Sequence, residues 1–388
     1  MVDGSTVDVS IDGDRIAAVA PHDQRRSRTA AIDLTGHLLA PAFAEPHAHL
    51  DKALTADLVP NPAGDLIGAI EAWLDYRTTI TKEDFIERAT AAALMGLANG
   101  CTAIRTHVDI GPGIGTTGVE ALVEVRSALE PMMDLQLVGL VDSLTGPNAA
   151  DGLAVLRDAL DLGLDVVGGV PHREENPAQS IEIAFETAAE YDRPVDLHAE
   201  ETLFPAAEDL ELMANRVLDT GFELPVTASH CVSLGMKQPA EQQRVAELAA
   251  EAVISVIALP QTNLYLQARD LAVAPPRGLT ALSALDRAEV TVAAGGDNLQ
   301  DPFCVVGRAD PLETASLLVM AGHLSVDDAY EMVSGRARAA MGLEPVSIEP
   351  GSPAELVATP SSSLRSAVSL GPAGRVVIHR GAVVHEAV

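Results

Sequence analysis

Aromatic residues are scarce. They make up 3% of the chain and include a single tryptophan, so any core must be built from Ala, Leu, Val and Ile. Cysteine is nearly absent, and Cys101, Cys231 and Cys304 stand alone with no C-x-x-C. That excludes a disulfide framework or zinc knuckle and fits reduced, buried thiols. Basic residues are few: 25 Lys and Arg face 56 Asp and Glu, a net charge of −31. Phosphate contacts need Lys and Arg, so this balance argues against nucleic acid and an anionic membrane surface as partners. No uncharged run reaches the roughly 20 residues of a membrane span. The N-terminus lacks the basic start and apolar centre of a signal peptide. A cytoplasmic protein is therefore expected. No interface patch is legible, which leaves a homo-oligomer open.

What is present is an apolar fraction of 47% spread over 388 residues. That length suits a large α/β barrel with a small appendage. Both ends are β-rich. "VDVSIDGDRIAAVA" alternates around Asp12-Gly13, a hairpin signal, and the stretch from about 346 reads the same way. They predict a composite β-sandwich domain from residues 1–42 and 346–388, around a barrel over 43–345. The middle alternates strand and helix. Strands are expected at 38–47, 102–108, 135–141, 165–170, 194–198, 225–230, 253–258 and 290–296. Helices are expected between them at 82–98, 117–128, 151–162, 179–190, 206–219 and 239–250, with 260–289 as a long loop holding one short helix. Eight strands in this alternation predict a (β/α)8 TIM-type barrel.

In "PAFAEPHAHLDKAL", His47 and His49 lie one residue apart on one face of a strand, so both imidazoles look at one spot. The pair alone does not decide between packing and ligation. The rest of the chain does. Seven of the eight expected strands end in His or Asp: His47 and His49, His107 and Asp109, Asp142, His172, His198, His230, and Asp297. Barrel sites sit at these strand ends. Of the eleven histidines only His22, His37, His323, His379 and His385 fall elsewhere. Neutral imidazoles with one carboxylate suit Zn²⁺ or Fe²⁺ with a position left for water. Such an ion lowers the pKa of its water towards neutrality. A carboxylate outside the ligand shell must then move protons, and Glu201, three residues past His198, is placed for it.

These residues sit in stretches that resemble the amidohydrolase superfamily and, within it, its cytosine deaminase-like branch: "EPHAHLDKAL", "IRTHVDI", "DVVGGVPH", "VDLHAEE", "VTASHCVSL", "LPQTNLYLQAR" with "PPRGLTAL", and "GGDNLQDPF". The resemblance implies that His47, His49, His198 and Asp297 are metal ligands. Glu201 matches the acid/base that carries a proton to the substrate ring, and His230 the residue that orients and polarises the attacking hydroxide. Asp297 is expected to act as a base towards the water as well as a ligand. Strand 4 carries no lysine, which implies one divalent ion. Asp142, His172, Asn298 and Gln267 are the candidate substrate contacts. Asp142 stands where cytosine deaminases have glutamine, and an ionised Asp only accepts hydrogen bonds. Asn298 stands where they have a carboxylate. The expected substrate is therefore a small amino-substituted heterocycle other than cytosine. Opening of a cyclic amide or imide on the same site is the alternative, and a non-catalytic scaffold barrel a third reading. The H-x-E with P-C-x-x-C pattern of the unrelated cytidine deaminase fold is absent. His107 and Asp109 are expected as support beneath the metal, and Lys52 as a surface or supporting cation.

Overall fold

The computed structural model describes residues 4–23, 31–141 and 143–386. Eight parallel strands form the central sheet: β4 (Phe43–Ala48), β5 (Cys101–Ile110), β6 (Asp134–Val141), β7 (Val166–Gly169), β8 (Val195–Ala199), β9 (Val226–His230), β10 (Ser255–Ala258) and β11 (Val292–Ala294). They are hydrogen-bonded in sequence order from β4 to β11. A parallel bridge between Ala48 and Asp297 brings the two ends together, and the Asp297 amide donates to the His47 carbonyl at 3.1 Å. The sheet thus curls into a nearly closed barrel, as the strand–helix alternation predicts.

Three strands precede the barrel: β1 (Val7–Asp12), β2 (Arg15–Pro21) and β3 (Leu38–Pro41). β1 and β2 form an antiparallel hairpin. β3 joins a four-stranded antiparallel sheet with β12 (Leu356–Thr359), β13 (Val376–His379) and β14 (Ala382–Glu386). The expected single strand over 38–47 is therefore two. Pro41 has no N–H to donate, and the chain leaves one sheet there for the other. The Ala42 amide donates to Glu355 and the Phe43 amide to Gly100.

The helices follow the apolar periodicity and pack on the outside of the sheet. The Lys82–Ala98 helix starts where Thr81 accepts from the Asp84 amide at 3.3 Å, and it stops at Asn99-Gly100. Its buried face is Phe85, Ala89, Ala92, Ala93 and Leu97. Between 260 and 289 lie two short helices rather than one, Pro260–Leu266 and Leu282–Arg287. Pro260 opens the first, where a missing N–H is harmless. Among the described residues no helix is long and apolar enough to cross a membrane.

Candidate active site

The strand ends carry the polar residues, and the backbone there is strained. Glu200, His230, Cys231 and Asp297 all have positive φ, at 54°, 71°, 46° and 65°. Such conformations cost side-chain-bearing residues about 1 kcal/mol or more each and collect at functional sites. The turns they make aim His198, Glu201, His230 and Asp297 into one cavity at the barrel's C-terminal rim.

His47 and His49 reach the same spot from β4. His49 Nε2 lies 3.3 Å from Asp297 Oδ1 and 3.2 Å from His198 Nε2. His47 Nε2 lies 3.6 Å from Asp297 Oδ1, and His230 Nε2 4.0 Å from Asp297 Oδ2. Ligand atoms of His47, His198 and His230 lie within 4.8 Å of one another, as do those of His47, His49 and Asp297. His47 Nε2, His230 Nε2 and both Asp297 oxygens are buried without a hydrogen-bond partner. Orphaned buried acceptors are costly unless something fills the space between them. Neutral imidazoles and a carboxylate around one point are the donor set a divalent transition-metal ion takes. Burial, then the crowding of the other imidazoles, which disfavours protonating any one of them, pushes the His47 and His198 pKa values well down. For His49 burial comes first and Lys52 second. All three rings are neutral and keep a lone pair to offer.

The tautomers are set from behind. Asn263 Oδ1 lies 3.2 Å from His230 Nδ1 and can only accept there, which turns Nε2 towards the centre. His47 Nδ1 lies 2.9 Å from Ser229 Oγ, which itself donates to Asp196 Oδ1 at 2.9 Å. Arg105 clamps the other Asp196 oxygen at 2.9 Å. This Arg105–Asp196–Ser229–His47 chain is wholly buried inside the barrel. His107 lies beneath, its ring centroid 4.0 Å from that of His47. Its nitrogens, with His47 and Asp196, form another group close enough to hold an ion, but Asp196 is already taken by Arg105 and Ser229.

Glu201 lines the cavity, with Oε1 3.7 Å from His230 Nδ1. Burial drives its carboxyl up to about 8, against the pull of Arg173 and Lys52. His230, pushed down to about 3 by burial, is neutral beside it.

Asp109 lines the cavity and gathers a cluster. It accepts from Lys52 Nζ at 2.8 Å, Trp73 Nε1 at 2.7 Å and Arg77 at 3.1 Å. Lys52 is only 3% exposed, so it is a supporting cation and not a surface one. It also lies 3.2 Å from His49 Nδ1. Asn298 lines the cavity and is held by Asp301 and Thr262. His172 and Gln267, expected as substrate contacts, are not among the cavity walls. His172 Nδ1 lies 3.2 Å from the His198 carbonyl, and Gln267 Nε2 donates to the Glu201 carbonyl at 3.5 Å. Each is held by the backbone of a residue that lines the cavity. Asp142 lies outside the described residues.

Apart from Arg173, the rest of the wall is apolar: Leu66, Ile70, Trp73, Leu74, Leu140, Val170 and Phe303. The space between these walls, counted out into the solvent at the mouth, is about 650 Å³. Trp73 and Arg77 come from the Leu66–Tyr76 helix and the turn after it, a segment outside the strand-end pattern. Arg105, Asp196 and Ser229 did carry a signal. Arg105, His107 and Asp109 alternate on one face of β5, as do Asp196 and His198 on β8, which marks the barrel interior.

The family model described as the Amidohydrolase family matches residues 79–385. Pterin deaminase from Rhizobium rhizogenes is 31% identical over 97% of this chain and 87% of its own length. N-isopropylammelide isopropyl amidohydrolase from a Pseudomonas species is 26% identical over 98% of this chain and 94% of its own. The crystal structure of 5-methylcytosine deaminase from Klebsiella pneumoniae, liganded with 5-fluorocytosine, superposes with a TM-score of 0.90 at 28% identity. It covers 99% of this chain and 95% of that one. With the barrel, the strand-end ligand atoms and these matches in agreement, the chain belongs to the amidohydrolase family.

Proposed function

We propose that this chain is a metal-dependent hydrolytic deaminase of an amino-substituted nitrogen heterocycle. The observation that carries the reading is the meeting of His47, His49, His198 and Asp297 at the floor of a cavity that also holds Glu201 and His230. One divalent ion, Zn²⁺ or Fe²⁺, held by those four residues supplies Lewis-acid activation of a water.

The chain's own residues do the rest. The apolar walls, Trp73 and Phe303 among them, suit a flat ring and exclude bulk water. Protonated Glu201 donates to a ring nitrogen as the C=N bond takes up water, so the charge on the ring never builds up. His230 is fixed by Asn263 and faces both Glu201 and Asp297. It is placed to hold the water's remaining proton through the addition step. A second proton delivered to the exocyclic nitrogen lets the C–N bond break. The amine leaves and a ring carbonyl remains. Asn298 offers an amide to the ring edge, while His172 and Gln267 position His198 and Glu201 from behind.

Two of the three named relatives are deaminases, which supports loss of an exocyclic amine over the opening of a cyclic amide. The test is Glu201→Gln. Metal content should stay at the wild-type level while ammonia release falls by about 100-fold or more. Near-normal turnover would remove Glu201 from the proton-carrying role.

A further inference from the structure

Away from the ligand atoms, the cavity wall holds three cations: Lys52, Arg77 and Arg173. Two are committed. Lys52 is paired with Asp109 and Asp51, and Arg77 with Asp109. Arg173 is not. It sits in the Pro171–Arg173 turn that follows β7, at the C-terminal rim of the barrel. Among the described residues, its guanidinium makes no hydrogen bond or ion pair. It is exposed to solvent at the cavity mouth, with Leu140 and Val170 in the same wall. With no partner among the described residues, its N–H donors are free to meet an anionic group that enters the cavity. Its planar fork of donors matches a carboxylate with two parallel hydrogen bonds. In a chain with 56 acidic and 25 basic residues, an uncommitted cation at the cavity mouth stands out from the overall charge.

We propose that Arg173 is a specificity-determining residue that binds a carboxylate substituent on the heterocycle. Resting on the deaminase reading above, this narrows the substrate class to ring-carboxylated amino-heterocycles. Arg173 holds the end of the ring away from the scissile C–N bond, and the amino carbon then faces the metal floor. A ring carbonyl offers one acceptor and no charge, so it leaves the fork half used.

The experiment uses matched pairs from the ring classes of the relatives, each with and without a ring carboxylate: cytosine against 5-carboxycytosine, and a pterin against its carboxylated counterpart. Ammonia release gives kcat/KM for wild type, Arg173→Met and Arg173→Lys. The wild type should prefer the carboxylated member in at least one class. Arg173→Met should erase that preference, by about 10-fold, and Arg173→Lys should keep part of it. Arg173 also acts on Glu201 through space, so both members can slow together, and the ratio is the readout. Calorimetry with the carboxylated and plain deaminated products measures the same preference without turnover. A preference that survives in Arg173→Met, or no preference in the wild type by either method, overturns the proposal. Arg173-dependent carboxylate binding with no ammonia from any pair would instead sink the deaminase reading and leave this one standing.

Discussion

Ser229→Ala tests how the barrel interior prepares the metal centre. In the native protein one hydroxyl serves two buried groups. It accepts from His47 Nδ1 at 2.9 Å and donates to Asp196 Oδ1 at 2.9 Å. Alanine removes both bonds and leaves no room for bulk water, because Ser229, Asp196 and His47 are all 0% exposed. A buried polar group without a partner costs about 1–3 kcal/mol. Asp196 keeps Arg105 at 2.9 Å, which puts its share at the low end. His47 has an escape: its proton moves from Nδ1 to Nε2, towards Asp297 Oδ1 at 3.6 Å. That relieves the orphaned donor but spends the lone pair a metal needs. The metal-free protein should lose about 2 kcal/mol in urea unfolding. Metal affinity should fall roughly 10- to 100-fold, the usual effect of losing such an outer partner. The assay is metal retention against increasing chelator. An unchanged chelator midpoint would refute the orienting role, whatever happens to stability.

Glu200 is buried, with its carboxyl raised to about 8 chiefly by burial, and Oε2 has no partner. It is therefore protonated in the folded protein at neutral pH and ionised in the unfolded chain. Its contribution is complete below about 4.3 and is lost as pH rises to about 8, at up to about 1.4 kcal/mol per pH unit. Glu200→Gln should flatten the decline in stability of the metal-free protein between pH 5 and 8. Parallel urea-unfolding curves for the two proteins across that range would contradict this. Lys52→Met leaves Asp109 with only Arg77 and Trp73, and should cost about 3 kcal/mol in unfolding free energy. A loss under 1 kcal/mol would mean the cluster is solvated. Zn²⁺ or Fe²⁺ added to metal-free protein should raise its melting temperature by mass action. Asp297→Asn should abolish that rise, and its persistence would place the ion elsewhere.

The barrel and its polar rim were legible in the chain because both are periodic. Apolar strands alternate with amphipathic helices, and the ordered strands place their last polar residues on one rim. His47, His49, His198, His230 and Asp297 stand on that rim and come within reach of one another, with Glu201 beside them in the same cavity. The β3–β4 break was not legible, since Leu38 to His47 reads as one apolar run and only the partner strand at Leu356–Thr359 divides it. The short helix at 282–287 was hidden for a similar reason, being too brief to show a period of its own.

Residue type and local spacing by themselves determined which side chains could bind a metal and on which strand ends they stand. Only the tertiary structure decided their partners. It buried Lys52 against Asp109, brought Trp73 and Arg77 in from a helix, turned His172 and Gln267 to the back of the site, and left Arg173 without a counter-charge. Spacing along a chain records which face a residue occupies, but hydrogen bonds and desolvation depend on atoms contributed by strands far apart in sequence, and those meet only when the barrel closes.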